Sequence, residues 1–450
     1  MSCLLGILCG FYNRIVIFLR TNIEMKFEES DVIAGILKER RFYLFLFCLI
    51  NFCTGALYVW SVFAGPLAAQ LSAVSGEVVK TSDLAPVFGL ATGVTPFLML
   101  AGGFVNDRFG PKLTIAFGGA AIAAGYALTA FAESVGMLYV GYGLCVGVGT
   151  GLVNGCTINS SVKWFPDRRG FAGGLVTACL GVGAAVLPFC ARWMIDVCGI
   201  VETLLAFGAC SGVVIVLSAF GTRKCPDELQ AAFRPAGRTA QAVEAPSMNW
   251  FEMVRTPLFY PLFILFTSSA MMGLMLLSNI SAIAQEQVGA GAGLAALSVS
   301  VISIANTSGR FLSGTLSDRI GRIPTLVLVL VVALAGLGML VSAGHGDTGL
   351  FFAGIVGIGT CFGAFIGTYP SLVADEYGPK HNSVNFSLMM LGYSVGGLTG
   401  PLLIRWANAG GDFSRAYMVC VAAAVVGIVC ALIAIRLKHC ALPVADKASA

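Results

Sequence analysis

Arg310 is the residue with the most distinctive chemistry, because it stands inside an apolar run. It lies eight residues before Asp318, about 12 Å deeper at the rise of a helix. A guanidinium near the midplane of a bilayer costs roughly 2.5–3.5 kcal/mol on insertion scales. Its side chain cannot snorkel that far, so it must face the interior of a bundle. All 23 Asp and Glu residues fall in loops, tails or span ends, with Asp83, Asp196 and Glu286 nearest to the opposite face. No buried acid is therefore at hand to pair with it. An unpaired guanidinium facing a central cavity is a carboxylate receptor, since its planar fork holds both oxygens. The competing reading is an arginine satisfied by backbone carbonyls and by Asn306, one turn earlier on the same helix face.

Aromatic rings with one polar tip can wall such a site and exclude water. Tyr58, Trp60 and Ser61 lie midway along one apolar run and Phe362 midway along another. Packing and lipid contact are the alternative for each. Asn154, Asn159 and Asn279 are polar positions within spans that serve equally well as interhelical glue. The 15 cysteines are scattered through apolar segments without a CxxC pair, and the three histidines fall in loops or the tail. Neither a zinc site nor a disulfide framework is expected. No nucleophile–base pair is visible, so an enzyme is not expected, and no cofactor or metal is implied.

The elements that position these residues follow from composition. Of 450 residues, 57% are hydrophobic and 11% charged, against roughly 25% charged in soluble domains. The missing polar surface must face lipid, and about 20 helical residues cross its hydrocarbon layer. Apolar runs bounded by charge and Gly/Pro predict spans near 42–71, 83–106, 112–131, 135–162, 170–197 and 201–220. Six more are predicted near 258–285, 294–317, 323–342, 349–374, 382–407 and 414–437. The expected fold class is an all-α polytopic membrane protein of twelve transmembrane helices in two six-helix halves.

The expected divisions are a cytoplasmic N-terminal segment at 1–41, a first half at 42–221, a cytoplasmic loop at 222–256, a second half at 257–437 and a tail at 438–450. Residues 1–24 read as a start-site artefact or a loose surface segment, because Met25 opens a polar stretch typical of a cytosolic tail. The net charge of +4 says little; the placement of charge says more. With both termini inside, 22 of the 27 Lys and Arg residues lie in cytoplasmic segments, which is the orientation the positive-inside rule selects.

The two halves repeat. Gly103-Phe-Val-Asn-Asp107-Arg108-Phe-Gly110 recurs as Gly314-Thr-Leu-Ser-Asp318-Arg319-Ile-Gly321, and Gly147-Val-Gly149-Thr150 recurs as Gly357-Ile-Gly359-Thr360. The Val-Gly before Pro188 recurs before Pro401, so three matches fall in the same order at offsets of 210 to 213. Parallel six-helix halves are a transporter plan that holds its substrate at mid-membrane between them.

The GxxxDRxGxK loop (Gly103, Asp107, Arg108, Gly110, Lys112) resembles the signature of the major facilitator superfamily, and its echo lies at the matching place. The resemblance covers residues 42–437 and implies a gating set of Asp107, Arg108, Asp318 and Arg319. The two acids can take hydrogen bonds from helix N-termini and basic side chains, locking the cytoplasmic ends. Finer features are similar to the oxalate/formate antiporter family and, more distantly, to monocarboxylate transporters. They are Gly55-Ala-Leu-Tyr58-Val-Trp60-Ser61 in span 1, Lys163-Trp164-Phe165-Pro166-Asp167-Arg168-Arg169-Gly170 before span 5, and Asn306-Thr-Ser-Gly309-Arg310 in span 8.

This resemblance gives the arginine at Arg310 an anion-binding role and puts Tyr58 in the pocket. Related oxalate exchangers carry a lysine in span 11, where the frame Asn385-Phe386…Gly400-Pro401 places Tyr393. One intramembrane cation instead of two favours a monoanion such as formate, lactate or pyruvate over oxalate. The expectation is a secondary transporter of a small carboxylate anion by alternating access, as an anion exchanger. Its substrate-binding residues would be Arg310, Tyr58, Asn306, Tyr393, Trp60 and Phe362. The alternatives are a proton-coupled monocarboxylate symporter, a drug or cation exporter, and a non-transporting anion sensor. The expected partners are the anion and the lipid bilayer, with no nucleic acid, a monomer as functional unit, and a bacterial inner membrane as location.

Overall fold

A computed structural model describes residues 35, 39–226, 229, 247–407 and 413–441. Most of the N-terminal segment, most of the central loop and the end of the tail lie outside these residues.

Twelve long helices run through the described residues. They are α1 (Glu39–Ser75), α2 (Thr81–Phe109), α3 (Pro111–Ala130), α4 (Val135–Trp164), α5 (Arg169–Cys198) and α6 (Ile200–Gly221). The second set is α7 (Phe259–Leu277, resuming as Ile280–Glu286), α8 (Ala292–Ile320), α9 (Arg322–Ser342), α10 (Thr348–Tyr377), α11 (Asn382–Ala407) and α12 (Ser414–Ala441). Among the described residues, ten helices are long and apolar enough to cross a membrane. Each predicted span has its helix, with ends that differ by a few residues. The outward faces remain apolar: Phe189 is 79% and Met418 is 72% exposed, which suits a lipid solvent and no other.

The repeated loops have one local cause. Gly110 and Gly321 end α2 and α8 at φ +86° and +97°, a left-handed backbone that only glycine adopts freely. Pro111 then opens α3 at its first helical position, where the missing N–H is no loss. We call the end of the bundle that carries these two loops the motif end.

Two predicted spans are interrupted. Gly55–Val59 in α1 is a 3₁₀ turn, and α7 breaks at Ser278 and Asn279, where the Asn279 amide donates to Met275 O and Ser278 Oγ. Hydropathy sees neither break, because both segments stay apolar around it.

The first six helices and the last six meet along α5 with α8 and along α2 with α11. Backbones approach closely there. A Cβ on Gly103 of α2 would fall 2.9 Å from the Ser383 carbonyl oxygen of α11. Small residues let membrane helices pack by dispersion where no hydrophobic drive exists between them.

Candidate functional site

The backbone of α8 is held on two sides at the level of Arg310. Gly359, Gly363 and Gly367 of α10 recur every fourth residue and face the carbonyl oxygens of Ile302, Asn306 and Arg310, which recur at the same interval. A Cβ on Gly359 would sit 2.7 Å from its carbonyl, and one on Gly174 of α5 would sit 2.5 Å from the Arg310 oxygen. A side chain at Gly363 would overlap the Asn306 carbonyl. The arginine is thus fixed by contacts that tolerate no extra methyl group. Gly363→Val should force α8 and α10 apart and lower the melting temperature in detergent by several degrees; overpacking of this kind costs about 1–3 kcal/mol. An unchanged melting temperature would contradict the close packing.

The Arg310 side chain spans the two halves. Its Nε donates to Asn306 Oδ1 at 2.9 Å and its Nη1 to the Thr177 carbonyl oxygen of α5 at 3.0 Å. Among the described residues, three of the five guanidinium N–H donors have no acceptor. Both acceptors are neutral, and the ionisable side chains beside the guanidinium, Tyr58 and Tyr393, are neutral phenols. The backbone carbonyl and Asn306 were the competing explanation for this arginine. Both are present, and together they use fewer than half of its donors.

Tyr58, Tyr393 and Phe362 come to the same place for a geometric reason. Helical side chains tilt towards their own N-terminus. Successive helices alternate in direction, so α8 and α10 start at the far end while α1 and α11 start at the motif end. Arg310 and Phe362 therefore reach away from the motif end, and Tyr58 and Tyr393 reach back towards it. Phe362 and Tyr393 stack at 6.1 Å and 17°. Phe362, Ala270 and Ile366 form a small apolar cluster apart from the main core, and Tyr393 packs against both. Tyr58 is 38% exposed and meets Phe88 edge-on at 6.1 Å.

Trp60 is not brought to this group. Its ring packs on Tyr142 at 4.4 Å and is 5% exposed. Two residues along a helix are separated by roughly 200–240°, so Tyr58 and Trp60 cannot share a face. The polar span residues tie backbones together elsewhere: Asn154 accepts from Thr54, Asn159 accepts from Asn382 across the halves, and Asn279 bonds its own helix end.

At the motif end, two acids join the halves. Asp107 pairs with Lys163 of α4 at 2.6 Å and accepts from the Val384 amide in the first turn of α11 at 3.3 Å. Asp318 accepts from the Gly170 and Phe171 amides in the first turn of α5 at 2.9 and 2.8 Å. These are the unsatisfied donors of helix N-termini, and the helix dipole favours an anion there. Arg322 bonds both Asp318 and Asp375, and Asp375 also pairs with Arg169. Beneath them Asn106 bonds Ser383. Arg108 and Arg319 stand apart from these ties: both are exposed, and Arg108 lies over the Phe109 ring.

Sequence reasoning missed Lys163, Arg169, Arg322, Asp375 and Thr177. Lys163 and Arg169 flank the quoted loop and Arg322 follows the repeated one, so their proximity to the motifs was the available signal. Thr177 contributes a backbone oxygen, for which a sequence carries none. The ties run from the motif end up to Arg310.

The sequence pattern of the Major Facilitator Superfamily matches residues 42–401. The chain is 30% identical over 350 residues to the uncharacterized MFS-type transporter YhjX of Escherichia coli, covering 78% of this chain and 84% of that protein. It is 30% identical over 374 residues to the oxalate:formate antiporter of Oxalobacter formigenes, covering 82% and 84%. Monocarboxylate transporter 11 of Mus musculus is 28% identical over 366 residues, covering 76% of each. Among solved structures, the E. coli fucose:proton symporter FucP superposes with a TM-score of 0.63 at 16% identity, covering 87% of this chain and 98% of that one. At that identity the likeness is one of fold. Pattern, relatives and fold agree: the chain belongs to the major facilitator superfamily and is a multi-pass integral membrane transporter, not an enzyme.

Proposed function

We propose that the chain moves small carboxylate anions by alternating access, as an anion exchanger, with Arg310 as the receptor. The observation that carries this reading is a guanidinium between the halves whose bonded partners, Asn306 and the Thr177 carbonyl, are both neutral. Its remaining donors match a carboxylate. Tyr58 and Tyr393 supply polar tips, and Phe362 supplies an apolar wall. A cation exporter would need an acid here, and among the described residues no acid bonds this arginine. The relatives named for oxalate, formate and monocarboxylates support the same class.

Asp107 and Asp318 act in the cycle as latches, and the motif end is the cytoplasmic one. Both termini then lie in the cytoplasm, in a bacterial inner membrane, and the monomer is the working unit. The deciding experiment is counterflow of labelled formate, lactate, pyruvate and oxalate in proteoliposomes. Exchange requires a trans anion at every pH. Uptake driven by an imposed proton gradient without one would make the protein a symporter instead.

Charge count at the site sets selectivity in this reading. Tyr393→Lys should move the oxalate-to-formate preference by about tenfold, since a second cation gains on the order of 4 kcal/mol near 4 Å before desolvation offsets most of it. An unchanged ratio in a variant that still transports would separate selectivity from charge.

The latch makes its own prediction. Asp107→Asn keeps an acceptor for the Val384 amide but loses the charge that Lys163 neutralises. The equilibrium should move towards the conformer open at the motif end by roughly tenfold, a little over 1 kcal/mol. Labelling of single cysteines on the two sides would measure it. A large loss of substrate affinity with unmoved accessibility would place Asp107 elsewhere in the mechanism.

A further inference from the structure

Two buried phenols bond the carbonyls of the 3₁₀ turn of α1. In a regular α-helix the carbonyls of Ala56 and Leu57 would accept from the amides four residues on. Here the Tyr126 hydroxyl of α3 donates to Ala56 O at 2.9 Å, and the Tyr142 hydroxyl of α4 donates to Leu57 O at 2.8 Å. The Tyr142 hydroxyl also lies 3.4 Å from Ala56 O. Both phenols are fully buried, and their rings meet edge-on at 5.7 Å. Trp60 covers Tyr142 from α1.

Tyr142 itself sits in a π-helical stretch of α4, Tyr139–Val146. Short 3₁₀ and π segments inside long helices recur at functional positions. Here two of them, on adjacent helices, touch through one hydroxyl. The turn carries Tyr58. A 3₁₀ helix advances 120° per residue and an α-helix 100°, so three residues from Gly55 to Tyr58 differ by roughly 60°. That is enough to move Tyr58 off the face that meets Arg310.

We infer that Tyr126 and Tyr142 are positioning residues for substrate binding: their hydroxyls hold α1 in the 3₁₀ turn that aims Tyr58 at the Arg310 site. The inference rests on the reading of Tyr58 as part of that site. Without the hydroxyls the two carbonyls find the ordinary helical amides, the turn relaxes to α, and Tyr58 rotates away. The cost falls on affinity, not on the rate of reorientation, since neither phenol lies between the halves.

The test is carboxylate counterflow by the full chain in proteoliposomes, with KM and maximal rate measured separately. Tyr142→Phe should raise KM about tenfold, and Tyr126→Phe about threefold, with maximal rates within about twofold of the parent; tenfold is 1.4 kcal/mol. Either variant suffices if the other fails to insert. Tyr369→Phe is the control: it loses an equally buried bond, 2.7 Å to Leu262 O, but should leave KM unchanged. In a Tyr58→Ala background, which has its own raised KM, Tyr142→Phe should add nothing, because coupled residues are not additive.

Parent KM values in both phenylalanine variants overturn the inference, as does a full tenfold effect on top of Tyr58→Ala. If Tyr58→Ala itself keeps the parent KM, the reading of Tyr58 falls with it. If Tyr58→Ala raises KM and Tyr142→Phe does not, this inference fails alone.

Discussion

Arg310→Ala will abolish carboxylate counterflow, by at least two orders of magnitude, while the protein still inserts and folds. The size of the loss follows from a charge-assisted, bidentate contact to the anion; 100-fold corresponds to about 2.7 kcal/mol. Survival of the fold follows from the partners. Removing the guanidinium leaves Asn306 Oδ1 and the Thr177 carbonyl without this donor, a cost of roughly 1–3 kcal/mol each when buried. It leaves no acid unpaired and removes an insertion cost of roughly 2.5–3.5 kcal/mol. The two nearly offset. Arg310→Lys keeps the charge but not the fork, so one ammonium must choose among Asn306, Thr177 O and the substrate; little transport should remain. Melting temperature and size-exclusion profile establish the fold, and labelled-anion counterflow establishes function. Full transport by the alanine variant would rule out the receptor role.

The spans were legible because lipid imposes a length and a polarity that a sequence displays directly. Arg310 was legible for the same reason: a charge in an apolar run has few explanations. What escaped was whatever depends on a neighbour. Tyr58 and Trp60 looked alike in the sequence, yet one meets Phe88 edge-on and the other packs on Tyr142. The choice is made by a turn whose carbonyls are held from α3 and α4. The repeated loops pointed to Asp107 and Asp318, but their partners come from different elements. Asp107 meets Lys163, one position before Trp164 at the end of α4, whereas Asp318 meets Arg322 on the next helix. Lys112, in the position that matches neither pair, lies over the Phe220 ring. The acids and the left-handed glycines recur in both halves, whereas the bases that meet them do not. Pattern reading sees the first and not the second.

Asn306→Asp tests whether Arg310 must remain without an anionic partner. The Asn306 oxygen already accepts from Arg310 Nε at 2.9 Å, one helical turn away, so the substitution replaces a neutral acceptor with a carboxylate at the same place. An ion pair forms within α8. At an effective dielectric near 20, a unit charge at about 4 Å is worth on the order of 4 kcal/mol, which a transported carboxylate must now overcome. Transport should therefore fall by 100-fold or more, although the guanidinium itself is still in place. The fold should tolerate the change, because the acid arrives next to a cation that had none. Asn306→Leu separates charge from positioning: it removes the oxygen and adds no charge, so Arg310 remains a free receptor that is less well aimed. That variant should keep transport with KM raised about tenfold, near 1.4 kcal/mol for one lost hydrogen bond to a charged group. The order expected for counterflow is parent, then Asn306→Leu, then Asn306→Asp far below both. If the aspartate variant matches the leucine variant, the guanidinium charge is not what the substrate reads. A drug or cation transporter would go further and reverse the order, since an acid in the pathway would then help and not hinder.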